Sequence, residues 1–294
     1  MQSNHIANRT FQNAMQSPTD RVDIDRPVIV HAQDYPAGWQ TDVHWHARSQ
    51  LAYASTGIMT VETEQGLWVV PPQRAVWIPS GVRHDVTSSG PLTMRSVYIE
   101  PDTVPWLPAT CCVVNVTPLL RELIARASTL PQQYGLGGQD ERLMLLILDE
   151  IRALSIAPLY LPEPSDARLR PITSALKRQP DDRRTLEAWG HTVGASSRTL
   201  ARLFRRETGM SFQQWQRQVR LLSGLLHLAA GQPVTTVAME VGYDSPSAFI
   251  AMFKRALGTT PSQYFARDEI SEPRTPVCPA GDALRSPDAP QPRR

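Results

Sequence analysis

Residues 234–265 read VTTVAMEVGYDSPSAFIAMFKRALGTTPSQYF, and this stretch decides the fold of the C-terminal third. Pro233 and Val234 open a helix in which Val237, Ala238 and Val241 fall on one side. Gly242 supplies a turn. Ser245 followed by Pro246 is the pairing expected of an N-cap and first helical residue, because the hydroxyl can accept an orphan N–H and proline has none to lose. The helix that follows buries Phe249, Met252, Phe253 and Leu257. Ser247, Ala251 and Lys254 face the other way, with Arg255 at the flank. A helix, a glycine turn and a capped helix with one free face predict a helix-turn-helix unit.

Upstream, the plan occurs a second time. Thr185 is placed to cap a helix with Leu186, Trp189 and Val193 along its apolar edge, and Gly194 makes the turn. Ser196 then caps Ser197–Glu207, which stops at Gly209. Leu200, Leu203, Phe204 and Glu207 share one side, while Arg198, Arg202 and Arg205 cluster opposite with Arg206 adjacent. Guanidinium can bond guanine bidentately or clamp phosphate, so that face suits a major groove. A single Arg-rich amphipathic helix reads equally well as a solvated surface. Two such units inside one basic block do not. Between them, Phe212–Ala230 carries Phe212, Trp215, Val219, Leu222, Leu226 and Ala229 as its stripe, a helix of roughly 25–30 Å. That length suits two recognition helices held near successive major grooves, about 34 Å apart.

Charge follows the same division. The net charge of the 294 residues is +2, but it is −6 over residues 1–166, +9 over 167–267 and −1 over the remainder. A basic block behind an acidic one predicts a polyanion-binding domain joined to something else. No apolar run is long enough to cross a bilayer, and the first residues lack the apolar core of a secretory signal. Three cysteines, two of them the neighbours Cys111 and Cys112, fit a reducing compartment, so a cytoplasmic location is expected. Gly-x-Ser-x-Gly, P-loop, Gly-x-Gly-x-x-Gly and Cys-x-x-Cys patterns are absent.

Residues from about 27 to 100 read as short strands: Gln50–Ser55, Ile58–Thr63, Leu67–Val70, Ala75–Ile78 and Leu92–Ile99, separated by Gly, Pro and Ser turns. From Thr117 the period becomes helical. Leu119, Leu120, Leu123, Ile124 and Ala127 form one stripe, and Leu143, Leu146, Ile147, Ile151 and Leu154 a second. Pro158, Pro162 and Pro164 mark a stiff linker. The expected architecture is an α+β multidomain chain. It has a disordered leader (1–20), a β-barrel sensor domain (21–115), a helical support and dimerisation segment (116–157), a linker (158–166), an all-α DNA-binding domain (167–267) and a disordered tail (268–294).

The motifs SSRTLARLFRRETGMSFQQW (196–215) and the quoted 234–265 stretch resemble the DNA-binding domain of the AraC/XylS family of regulators, over about 100 residues. The resemblance implies a seven-helix, two-lobed domain. Its base-reading positions fall on Arg198, Thr199, Ala201 and Arg202 in the first unit and on Ser247, Ala248 and Ala251 in the second. Phosphate contacts are implied for Arg205, Lys254 and Arg255, with Arg206 and the cap residue Ser245 beside them. This chain departs from the family at Trp189-Gly190-His191, where helix formers are usual. Ala201 and Ala251 cannot hydrogen-bond a base edge, which leaves discrimination to Arg198 and Arg202.

In the N-terminal half, Gly38-x5-His44-x-His46-x3-Gln50-x6-Gly57 and Pro79-x-Gly81-x2-His84 resemble the cupin β-barrel signature, with Gln50 in place of the usual glutamate. His44, His46 and Gln50 are all even-numbered, so on one strand they would share a face. Three readings fit these residues and His84: a polar patch satisfied inside the barrel, the lining of an effector pocket, or a metal site. Aromatic candidates for pocket walls are Trp45, Tyr53, Trp68, Trp77 and Tyr98. Resemblance to AraC-type effector domains favours the pocket.

The expected function is thus a sequence-specific DNA-binding regulator responsive to a small-molecule effector, with no catalytic residues and no cofactor. Duplex DNA and the effector are its expected partners; RNA polymerase and a second copy of the chain are further candidates, and a membrane is not. The alternative is a metal-dependent cupin enzyme carrying a DNA-binding appendage.

Overall fold

Alternating side chains build the N-terminal half. In β6 (His84–Ser88) every second residue is buried, and in β3 (Met59–Thr63) Met59 and Val61 are, the pattern of strands with one face on a core. The computed structural model describes residues 24–266; the predicted leader and the predicted tail, with Cys278, lie outside them. Two antiparallel sheets pack face to face. The larger runs β1 (Val28–Tyr35), β7 (Leu92–Ile99), β2 (Ser49–Thr56), β5 (Arg74–Ile78), β8 (Cys112–Asn115) and β9 (Ile156–Ala157) in that order across the sheet. The smaller runs β10 (Tyr160–Pro162), β4 (Gly66–Val70), β3 and β6.

Parity divides the large sheet into two faces. Ala52, Ala54, Val76, Ile78 and Met94 point to the smaller sheet and meet Met59, Val61, Trp68 and Val86 in one core. Leu51, Tyr53, Ala75, Trp77, Val97 and Ile99 point the opposite way. They are covered by α1 (Pro118–Ala127) and α2 (Gln139–Arg152), through Leu120, Ile124, Ala127, Met144, Ile147, Leu148 and Ile151. The helices are therefore rotated from the expected stripes. Leu119 and Leu146, counted inward from spacing alone, are exposed, while Met144 and Leu148 are buried.

The proline-marked segment is not a free linker. Ile156–Ala157 pairs with β8 and Tyr160–Pro162 pairs with β4, so the connection crosses from one sheet to the other. Leu159 and Leu161 are its buried anchors, and Tyr160 stacks on Trp68 at 4.6 Å. Pro158 and Pro162 flank these short edge pairings, where a missing N–H is tolerated.

Seven helices follow among the described residues: α3 (Arg170–Arg178), α4 (Leu186–Val193), α5 (Ser197–Thr208), α6 (Phe212–Ala229), α7 (Val234–Glu240), α8 (Pro246–Leu257) and α9 (Pro261–Ala266). The 18 residues of α6 start at a full capping box of Ser211 and Gln214 and form the spine of the domain. Trp215 on this helix is wholly buried, and its Nε1 donates to Pro162 O at 2.9 Å. Gln218 donates to the carbonyls of Pro158 and Tyr160. The spine of the helical domain is thus bolted to the strand that completes the smaller sheet.

Candidate DNA interface and sensor site

Each helix-turn-helix is set by its caps. In the first unit, Thr185 Oγ1 accepts from Ala188 N, Gly194 closes α4 in the left-handed region at φ 67°, and Ser196 Oγ accepts from Thr199 N at 3.2 Å. In the second, Gly242 turns at φ 84° and Ser245 Oγ accepts from Ala248 N at 3.2 Å. A Cβ at Gly242 would lie 2.7 Å from Asp181 Cα, so the turn has both a conformational and a spatial need for glycine. Gly190, which breaks the helix-former pattern of α4, has the Ala195 carbonyl 2.4 Å from where its Cβ would be. A close helix-to-turn contact accounts for the small residue there.

The inward faces are locked and the outward faces are bare. Leu200, Leu203 and Phe204 anchor α5, and Phe249 and Phe253 anchor α8. On α5, Arg198, Ala201, Arg202 and Arg205 are exposed, as are Ser247, Ala248, Ala251, Lys254 and Arg255 on α8. Arg198, Arg202 and Arg205 make no ion pair among the described residues. Three of the predicted contact residues already have partners within the protein. Thr199 is half-buried and its hydroxyl lies 2.9 Å from Ser196 Oγ, Ser245 is engaged as a cap, and Arg206 is held by Glu207 at 2.8 Å with Asp166 at 3.8 Å.

In the N-terminal half, His44, His46 and His84 converge, with ring centroids 4.3 to 5.2 Å apart. They do so differently from the expected shared strand. Only Gln50 lies on β2; His44 and His46 sit on an irregular strap that meets β6 through the isolated bridges Gln40–Thr87 and His44–His84. His46 and His84 are buried and His44 is half-buried. His44 Nδ1 lies 2.8 Å from Asp42 O, and His84 Nδ1 lies 2.9 Å from Val82 O. A carbonyl only accepts, so each Nδ1 carries the proton and each Nε2 the lone pair.

Behind the rings, Gln50 Nε2 donates to Ser96 Oγ at 2.9 Å and to Tyr98 Oη at 3.2 Å. His84 Nε2, Gln50 Oε1 and both nitrogens of His46 are buried without a hydrogen bond of ordinary geometry. Burial, with the charge of the neighbouring imidazoles, pushes His46 down to about 3, the Gln50 amide opposing it least. Burial likewise pushes His84 down to about 4, and Tyr98 up to about 12. His46 and His84 are therefore neutral at physiological pH. Unmet polar capacity of this kind in a buried patch is the mark of a place where something binds.

The aromatic candidates do not form one pocket. Tyr53 and Trp77 are odd-numbered on β2 and β5 and face α1 and α2, away from the histidines. Trp77 lines a separate groove of about 390 Å3 with Trp106, Cys112 and Arg152. Trp45 is half exposed, and Trp68 is core against Tyr160. Only Tyr98 joins the histidine patch, at 5.3 Å from His46. Ser96, which the sequence reading passed over, belongs with it; its even number on β7, shared with Met94 and Tyr98, was the available signal. Cys111 and Cys112 are free thiols at the start of β8, both pushed up by burial, Cys111 to about 12.

Comparisons with known proteins agree with this division. The AraC-like ligand binding domain family matches residues 26–179, and a helix-turn-helix domain family matches residues 189–267. The chain is 38% identical over 233 residues to the HTH-type transcriptional regulator NimR of Escherichia coli K12, covering 79% of this chain and 85% of that protein. It is 33% identical over 103 residues to the HTH-type transcriptional regulator RipA of Corynebacterium glutamicum, covering 35% of this chain and 31% of the other. A crystal structure of ToxT from Vibrio cholerae strain SCE256 with bound unsaturated fatty acid is a looser likeness: 10% identity, 82% and 96% of the two chains, TM-score 0.34. Two family matches covering both halves, and a regulator aligned along most of its length, lead to one conclusion: the chain belongs to the AraC family of transcriptional regulators, with a ligand-binding domain ahead of a helix-turn-helix DNA-binding domain.

Proposed function

We propose that the regulator lays α5 and α8 into successive major grooves, with Arg198 and Arg202 reading bases and Arg205, Lys254 and Arg255 holding phosphates. The observation that carries this is the bare arginine face of α5 behind a helix fixed by Ser196 and Gly209. Arg206, already paired with Glu207, is assigned a supporting place beside the phosphate contacts. Ser247, Ala248 and Ala251 give α8 a shallow face that suits close approach and thymine methyl contact. The chain acts by binding rather than by turnover, and no helix among the described residues is long and apolar enough to cross a membrane.

The effector is received at the patch of His44, His46, Gln50, His84, Ser96 and Tyr98, because four buried polar atoms without ordinary hydrogen bonds, on His46, Gln50 and His84, gather there. Its signal passes through β4 and β10 to α6 by the contacts of Gly66, Trp68 and Tyr160 and the Trp215–Pro162 hydrogen bond. A second copy is received on the α1–α2 hairpin, where Leu119, Leu145 and Leu146 are exposed, and RNA polymerase is the remaining partner of a promoter-bound regulator. Gel shifts on operator DNA test the reading. Wild type binds specifically, and Arg198→Ala with Arg202→Ala removes the preference for operator over random DNA; retention of that preference would refute it.

A further inference from the structure

We propose that His44, His46 and His84 together bind one divalent transition-metal ion of the zinc, cobalt and nickel group. The inference rests on the reading of this patch as the sensor's ligand site, and it names the class of ligand.

One donor nitrogen from each ring lies within 4.8 Å of the others. A tetrahedral ion with metal–nitrogen bonds of about 2.0–2.1 Å needs donors about 3.3 Å apart. The set therefore has to close by up to about 1.5 Å. His44 is the ring able to supply that movement: it is half-buried, on a strap whose neighbours Asp42, Val43 and Trp45 are exposed. His46 and His84 are the buried, fixed members.

Orientation already favours metal. The carbonyls of Asp42 and Val82 hold the Nδ1 protons of His44 and His84 and so direct both Nε2 lone pairs outward. Carbonyl anchoring of this kind fixes tautomer and ring direction in metal sites. His84 Nε2 and both His46 nitrogens are buried without a hydrogen bond of ordinary geometry, and a metal bond would satisfy one nitrogen of each ring. Gln50 Oε1 is the remaining unpartnered acceptor beside them, placed to hold a metal-bound water or to ligate directly. Neutral imidazoles with an amide oxygen suit zinc, cobalt or nickel, and not calcium or magnesium, which require carboxylates and water. The open side of His44 gives the ion an entry path.

Binding would tie the strap carrying His44 and His46 to β6, which carries His84 and pairs with β3. The smaller sheet that receives β10 is thereby tightened from its far edge.

The test uses the full chain, free of any polyhistidine tag, stripped with EDTA and titrated with Zn2+ or Co2+ by calorimetry. Visible absorption of bound Co2+ reports the geometry. One equivalent is expected, with a rise in thermal midpoint. His84→Ala should abolish binding, and His44→Gln, at a half-exposed position that leaves the core alone, should weaken it at least tenfold. No saturable binding, or equal affinity in wild type and His44→Gln, would overturn the proposal. Operator affinity measured with and without metal separates the two claims. Binding of one equivalent without change in operator affinity keeps the metal site and removes its sensor role. Absence of binding, while an organic effector still shifts operator affinity, removes the metal site and leaves the sensor.

Discussion

Gly66→Ala tests the junction between the two halves. Gly66 pairs with Pro162 at the end of β4, with φ at 153°. A Cβ there would fall 2.3 Å from Leu161 O and 2.6 Å from the Tyr160 ring. If β10 stays in place, the change costs about 1–3 kcal/mol of backbone strain and about 1–3 kcal/mol of overpacking. If β10 lets go, burial of Leu161 is lost, about 1.5–3 kcal/mol, together with the Tyr160–Trp68 stack, about 0.5–1.5 kcal/mol. The first route costs about 2–6 kcal/mol and the second about 2–4.5 kcal/mol, and release is the expected one because β10 has only three paired residues. Hydrogen exchange followed by mass spectrometry should show residues 156–166 exchanging at least tenfold faster, with α5 and α8 as protected as in wild type. Operator binding without effector should persist, while its response to effector disappears. An unchanged denaturation midpoint with unchanged exchange over 156–166 would refute the reasoning that this segment is a strand under load.

Other parts of the molecule give three further expectations. Arg202→Ala should weaken operator binding by about 1–3 kcal/mol and relax one base position, whereas Arg205→Ala should weaken specific and random DNA alike and reduce the salt slope by about one; gel shifts across a salt series would show the contrast. In EDTA, folding stability should fall as pH drops from about 6.5 toward the folded values of about 3 for His46 and about 4 for His84. The sign follows because the unfolded chain takes up those protons first, and at pH 5 the loss approaches about 4 kcal/mol for two independent rings. Urea midpoints that stay level between pH 7 and pH 5 would contradict it. Ser245→Ala removes the hydroxyl that accepts from Ala248 N and should cost about 1 kcal/mol of stability, read as a lower thermal midpoint.

The C-terminal domain was legible because its signals are local. Ser196, Gly209 and Ser245 sit at helix ends and act through neighbours within a turn, so spacing alone finds them. The N-terminal half is built from contacts distant in sequence, and there the reading held only in part. Most strand positions could be read from composition, but the sheet in which each lies and the face each side chain takes could not. Tyr53 and Trp77 show the consequence: both are core aromatics on strands, and parity turns them to α1 and α2 instead of the histidines. Leu146 shows another, since a helix with apolar residues on several faces does not declare which one the sheet will cover. His44 and His46 were found by spacing and then misassigned to a strand, because the strap that carries them is held by long-range bonds to β6. Prolines suggest a linker at 158–166; two short pairings at 156–162 and buried Leu159 and Leu161 tie it to the sheets.

The central claim is that two helix-turn-helix units read successive major grooves through unequal faces. Methylation-interference footprinting at guanine N7 on operator DNA tests it most directly. Two major-groove patches where methylation blocks binding are expected on one face of the duplex, about 10–10.5 base pairs apart. The patch under α5 should lose its guanine contacts in Arg198→Ala and Arg202→Ala while the patch under α8 remains. A single patch, or an unaltered footprint in both variants, would contradict it.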